Sequence, residues 1–285
     1  MRTTDAAPAR LTRRGRRTVV ALAVLLCALV AYAVLATPLG TLLGLGGGPA
    51  CRLTAGETTL DWSTEQAMTA TTVAGVGTRI GATLNGVAEA VRRGLDIVDQ
   101  HQDAGALSPE QARQVYRTLP DVARPDPQSL AVAAALLGHR GEALTCVVPA
   151  LDDLPGETAG SNGLTPRAER LRTQMRAVFG RQPLGGFAPG GVREGHIAGS
   201  AHYDGRAVDV FFRPVNEANQ RLGRQQAQWA VAHAEALGVA TVIFDRQIWS
   251  AQRSVQGWRT YTHPSGRTDN PILNHEDHVH LDVAG

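Results

Sequence analysis

The chain has 285 residues, 43% of them hydrophobic and 19% charged, with a formal net charge of +2. That is enough apolar material for packed cores over most of the length, in two modest domains or one larger one. A charge so nearly balanced excludes nucleic acid as the default partner.

The first 50 residues speak to the compartment. Arg10, Arg13, Arg14, Arg16 and Arg17 form a basic cluster, and no charge follows until Arg52. The run 18–37 matches the length of a membrane-spanning helix. Arginines on its N-terminal side predict a cytoplasmic tail over 1–17, with the rest of the chain outside. A cleaved signal peptide, with Ala31-Tyr32-Ala33 at the cleavage site, is the alternative. Residues 38–50, rich in glycine and free of charge, read as a flexible tether. Cys27 lies within the apolar run. Cys51 and Cys146 remain, an even pair in an oxidising compartment, to be read as a disulfide or as two free thiols.

Residues 51–147 read as a helical domain. Ser63 caps a first helix, and Met68, Val73, Val76, Ile80, Leu84, Val87, Val91 and Leu95 recur at roughly helical spacing. Gly75, Gly77 and Gly81 weaken or break that run. Ser108-Pro109-Glu110 opens another helix, and Pro127 to His139 a third. Glu65-Gln66-Ala67 with Thr72-Val73-Ala74-Gly75-Val76-Gly77 resembles the lysozyme-like modules of actinobacterial envelope proteins. The Gln-Glu-Ser context of the glycan-cleaving members is missing, which implies a scaffold or binding role. Residues 148–162, with Pro149, Pro155, Gly156 and Gly160, read as a linker.

Residues 163–285 read as an α+β domain. Helices are expected over Pro166–Phe179 and Asn216–Leu237. Strands are expected over Leu184–Phe187, Ala207–Phe212, Ala240–Phe244 and Val279–Val283, with Trp249 and Trp258 flanking a hairpin. Asp209 is the anomaly, a carboxylate in an otherwise apolar strand that needs a cation or several donors. His202 lies seven residues earlier, and a turn at Asp204-Gly205 would bring it beside Asp209. His278 and His280 alternate, so a strand points both rings to one face. Imidazole, carboxylate and a second imidazole, plus water, make a zinc site with an open position. A donor set mixing nitrogen with oxygen suits zinc better than calcium.

Ser200-Ala201-His202-Tyr203-Asp204-Gly205-Arg206-Ala207-Val208-Asp209, with Asp277-His278-Val279-His280, resembles the zinc peptidase superfamily. That superfamily includes D-Ala-D-Ala carboxypeptidases, murein endopeptidases and the hedgehog domain. The resemblance covers about residues 163–285. It implies His202, Asp209 and His280 as zinc ligands and Asp277 as general base, with Glu276 as the other candidate. His278 would orient water or bind the tetrahedral intermediate. Arg193 and Arg206 would be candidates for binding the oxyanion or a substrate carboxylate. Ala188 stands where family enzymes often carry an arginine. The implied activity is cleavage of a peptide bond in peptidoglycan stem peptides or crosslinks by a membrane-anchored enzyme. A non-catalytic zinc module that binds wall fragments or a protein is the alternative. The stretch around Trp249, Gly257-Trp258-Arg259-Thr260-Tyr261 and His263-Pro264-Ser265 resembles a C-terminal domain of actinobacterial exported proteins of unclear activity. Trp258 and Tyr261 are read there as cleft or core residues.

Overall fold

A computed structural model describes residues 50–101, 104–120 and 124–285. The basic tail, the apolar run 18–37, the cleavage motif and nearly all of the tether fall outside the described residues. No helix among the described residues is long and apolar enough to cross a membrane.

Residues Pro49–Gly285 form one compact unit of mixed α and β structure. It opens with a hairpin, β1 (Cys51–Ala55) and β2 (Thr58–Trp62), followed by α1 (Thr64–Ile80), α2 (Leu84–Gln100), α3 (Pro109–Arg117) and α4 (Pro127–Leu136). Strand β3 (Leu144–Cys146) and helix α5 (Pro166–Phe179) follow. Then come β4 (Leu184–Gly185), β5 (Ala207–Phe211), α6 (Glu217–Ala232) and α7 (Ala234–Leu237). The chain finishes with β6 (Val239–Phe244), β7 (Gln247–Ser250), β8 (Arg259–Thr260) and β9 (His278–Val283).

Local chemistry sets the helix starts. Ser63 with Gln66 and Ser108 with Gln111 form reciprocal capping boxes, each satisfying two backbone groups at once. Asp126 and Thr165 cap α4 and α5, each with proline at the first turn, where its missing N–H costs nothing. Gly75 and Gly77 do not break α1. They lie inside it, where a side chain would strike Val178, Phe179 and Tyr116.

The stretch expected to be mostly helical also carries a three-stranded sheet in the order β2-β1-β3. Burial alternates along Cys51–Ala55, the period of a strand with one face inward. Cys51 lies directly opposite Cys146 in the antiparallel register, and the two form a disulfide with Cα atoms 4.0 Å apart.

The larger sheet runs β4-β5-β9-β6-β7-β8. Its strand pairs are antiparallel. One face of its centre carries Val208, Val210, Val279, Leu281 and Val283, all fully buried, and α5 and α6 pack on this layer. The other face presents Asp209, Phe211, His278 and His280 in register. The expected boundary over 148–162 does not separate two cores. Helix α6 contacts both α1 and β3, and buried residues of 51–147 and 163–285 belong to one hydrophobic cluster. Its buried Gln228 accepts from Leu144 N at 2.9 Å and donates to the Ala135 carbonyl at 3.1 Å. The indoles of Trp249 and Trp258 donate to carbonyls of β3 at 3.2 Å and 2.8 Å. Trp258 is thus a packing residue tied to the smaller sheet.

Candidate metal centre

Strand register makes the first contact of the site. Asp209 on β5 is the antiparallel partner of His280 on β9, which places their side chains on one face within reach of each other. His202 enters from a turn whose closing bond runs from Arg206 N to the Ala201 carbonyl at 2.9 Å. Gly205 closes that turn at φ +69°, and a side chain there would strike the Gly163 carbonyl. The turn expected at Asp204-Gly205 is therefore present, and it delivers His202 to Asp209.

The three donors meet closely. His202 Nε2 lies 3.1 Å from His280 Nδ1. His280 Nδ1 lies 3.1 Å from Asp209 Oδ1, and His202 Nε2 lies 3.3 Å from the same oxygen. Ligand atoms on a tetrahedral zinc with bonds of 2.0–2.1 Å stand roughly 3.3 Å apart. All three residues are almost wholly buried, at 2%, 6% and 9% exposure for His202, Asp209 and His280.

The outer bonds fix which atoms face inward. His202 Nδ1 lies 2.7 Å from the Gly186 carbonyl, so in the neutral ring Nδ1 carries the proton and Nε2 keeps its lone pair. His280 Nε2 lies 3.6 Å from Asp282 Oδ2, which leaves Nδ1 as the inward atom. Gly186 makes the first of these bonds possible. It sits at φ +78°, and a side chain would run into the His202 ring. Three lone pairs therefore converge on one buried point, an arrangement that a cation relieves. In the metal-free protein the relieving cation is a proton. Burial pulls His280 down, but bonds to Asp209 and Asp282 outweigh it and push the imidazole up to about 9. Burial likewise raises Asp209, yet bonds from His202 and His280 prevail and hold its carboxyl far below the usual range. The cluster can hold a metal ion, and its nitrogen and oxygen donors fit zinc.

A second rank of residues surrounds the three donors. Asp277 is engaged on both oxygens, with His278 Nδ1 at 2.7 Å from Oδ1 and Arg213 Nε at 2.6 Å from Oδ2. Its carboxylate thus stands behind His278 rather than free over the three ligand atoms. His278 turns its other nitrogen toward the cluster, with Nε2 3.9 Å from Asp209 Oδ1. Glu276 is tied to Arg246 Nε at 2.6 Å and Asn274 Nδ2 at 3.1 Å. Arg206 is drawn to Asp204 and the Val283 carbonyl, both at 3.0 Å, and acts as a clamp on its own turn. Arg193 is exposed on the loop before His202.

Three residues that sequence reasoning passed over join the site. Arg213, two residues past the end of β5, holds Asp277 and also stacks its guanidinium 4.2 Å from the Phe211 ring centroid. His196 stacks on His202 with ring centroids 3.9 Å apart. Tyr203 holds it there, its hydroxyl accepting from His196 N at 3.0 Å and donating to its carbonyl at 2.6 Å. His275 packs 4.7 Å from the His278 ring and 5.8 Å from that of His280, with Tyr261 edge-on at 4.9 Å. Burial, then the neighbouring His278 and His280, drive its imidazole down to about 2. It also occupies the left-handed region at φ 55°, and its buried Nδ1 has no hydrogen-bond partner. A non-glycine residue held in this region beside the cluster adopts a sparsely populated conformation that the surrounding packing has to maintain. The spacing His275-x-x-His278 was the available signal, masked by the stronger His278-x-His280.

Residues 160–272 match a family model described as VldE, C-terminal domain. The matched span holds His202 and Asp209, covers less than half of the chain, and ends before His278 and His280. No curated protein and no solved structure matches this chain.

Proposed function

We propose that this chain is a membrane-anchored, extracytoplasmic zinc hydrolase that cleaves a peptide bond in peptidoglycan stem peptides or crosslinks. The observation that carries this reading is the convergence of His202 Nε2, Asp209 Oδ1 and His280 Nδ1 within 3.3 Å of one another. His278 adjoins that cluster. Three protein ligands, two imidazoles and a carboxylate with no thiolate, is the composition of catalytic rather than structural zinc. A bound zinc would polarise a substrate carbonyl and lower the pKa of water.

The chain's own residues supply the rest. Asp277, paired with Arg213, accepts a hydrogen bond from His278 Nδ1–H and fixes that ring with its Nε2 lone pair toward the site. His278 then takes a proton from the attacking water and returns it to the leaving amine. In this reading the general base is His278 and Asp277 positions it, which exchanges the roles the family resemblance implies. His275, neutral and close to both His278 and His280, stands where it can donate to a developing oxyanion. The extracytoplasmic placement rests on the apolar run 18–37 and the arginines before it, and is supported by the disulfide.

Purified muropeptides incubated with the full chain, with and without chelator, test the proposal. Cleavage that disappears with chelator and in His202→Ala, and falls in Asp277→Ala while zinc stays bound, is the expected result. Stoichiometric zinc with no cleavage of any stem peptide or crosslink would instead support the non-catalytic binding module.

A further inference from the structure

Next to the metal centre lies a cavity of about 370 Å³ that the hydrolytic machinery leaves unused. It shares Phe211 and Arg213 with the site, and adds Arg79 from the end of α1 and Arg181 from the segment before β4. Phe179 and Leu222 contribute apolar wall. No acidic residue is among its lining residues, and among the described residues neither Arg79 nor Arg181 takes part in an ion pair, while Arg213 pairs with Asp277 alone. Arg79 and Arg181 thus bring two guanidinium groups without a carboxylate partner to one cavity, Arg79 donating only to the Ala177 carbonyl at 2.9 Å, an arrangement that an anion from outside would relieve.

A second observation points the same way. Gln225 also lines the cavity and is 3% exposed. Its carboxamide oxygen accepts from Thr78 Oγ1 at 3.0 Å, while its nitrogen has no partner among the described residues. A buried donor without an acceptor is costly unless a ligand supplies one. Guanidinium groups, a spare amide donor and aromatic walls together describe a subsite for a carboxylate on a short, partly apolar chain.

We propose that this cavity binds a carboxylate of the peptide substrate, so that the enzyme selects peptides carrying a free negative charge beside the bond it cuts. The proposal rests on the hydrolase reading for the word substrate, but binding can be measured apart from cleavage.

The test uses the zinc-loaded full chain and three probes: N-acetyl-trialanine with a free carboxylate, the same peptide as its C-terminal amide, and N-acetyl-Ala-Glu-Ala amide. Affinities are read by calorimetry, and each sample is assayed afterwards for cleaved peptide. At least one carboxylate probe should bind roughly tenfold tighter than the uncharged amide, the size expected of charge-assisted hydrogen bonds. The two acidic probes tell a terminal from a side-chain carboxylate. Arg79→Gln with Arg181→Gln, both at exposed positions, should shrink that preference below about threefold with zinc content unchanged. Leu222→Glu, which places a negative charge in the cavity wall, should do the same without removing an arginine. Equal binding of all three probes by the unaltered chain, or a preference that survives both variants, would overturn the proposal. Absence of cleavage with the preference intact would count against the hydrolase reading and leave the carboxylate subsite standing.

Discussion

The two antiparallel sheets use one placement device to different ends. In the smaller sheet Cys51 lies directly opposite Cys146, and the pair closes into a disulfide. In the larger sheet Asp209 lies directly opposite His280, and a turn adds His202 at 3.1 Å and 3.3 Å from the two facing atoms. Register brings side chains together in both places. What differs is the chemistry left over. Two thiols consume their bonding capacity in each other and leave no lone pair aimed at a common point. One carboxylate and two imidazoles keep a lone pair each, so the second meeting point attracts a cation while the first is a lock.

Removing a member of each pair should therefore have separable consequences. The largest effect is expected at the larger sheet. His280→Ala or Asp209→Ala should weaken zinc binding by more than about 100-fold in a competition titration, since even residues behind metal ligands cost 10–100-fold. Gly186→Ala should approach the same loss, because its methyl group would occupy the place of the His202 ring. Replacing Cys51 and Cys146 together with serine should cost about 2–5 kcal/mol of stability in denaturant unfolding, while zinc affinity stays within about twofold, a bound drawn from the independence of distant sites. A double-serine variant that lost zinc as fully as Asp209→Ala would break the comparison.

Asp277→Asn sharpens it. The amide removes the charge that holds His278, so peptide cleavage should fall roughly 10–100-fold with zinc retained. The fall should be carried by kcat rather than KM, as for an interaction made in the transition state.

A pH titration gives the next effect. His280, raised to about 9 in the metal-free protein, stabilises the fold fully below its ordinary value and loses that contribution as pH rises through 9. Asp209, lowered, stabilises above its ordinary value and loses that contribution as pH falls. The contribution of this pair to the stability of the metal-free protein, read as the difference in melting temperature from His280→Ala at each pH, should thus be largest between about pH 4 and 6.5. Zinc has to displace the His280 proton, so its affinity should rise about tenfold per pH unit up to pH 9 and then level off. Tyr203→Phe is the smallest change. It removes one donor to the His196 carbonyl and should alter stability by about 1 kcal/mol or less.

The same contrast explains what the sequence made legible. Asp209 stood out because a charge inside Ala207–Phe211 breaks an apolar run. His278 and His280 stood out because alternation is local. Helix starts at Ser108-Pro109 and Thr165-Pro166 were legible because caps act within four residues. The smaller sheet was not, since its third strand lies beyond the helices α1–α4 and each strand is too short to declare itself. Gln226 and Gln228 are polar yet fully buried, because hydrogen bonds to distant side chains and carbonyls replace water. His196, Arg213 and His275 act through stacking and second-rank hydrogen bonds that no spacing rule encodes. The position of Asp277 three residues before His280 was visible in the sequence, but its bonds to Arg213 and His278 were not.

The central claim is that three side chains from two stretches of chain hold one zinc with a position to spare. X-ray absorption at the zinc edge, on the full chain loaded and then desalted, tests it most directly. One zinc per chain with nitrogen and oxygen neighbours near 2.0–2.1 Å, no sulfur, and loss of the metal in His280→Ala is the predicted result. Sulfur in the coordination shell, or zinc retained at full occupancy without His280, would contradict it.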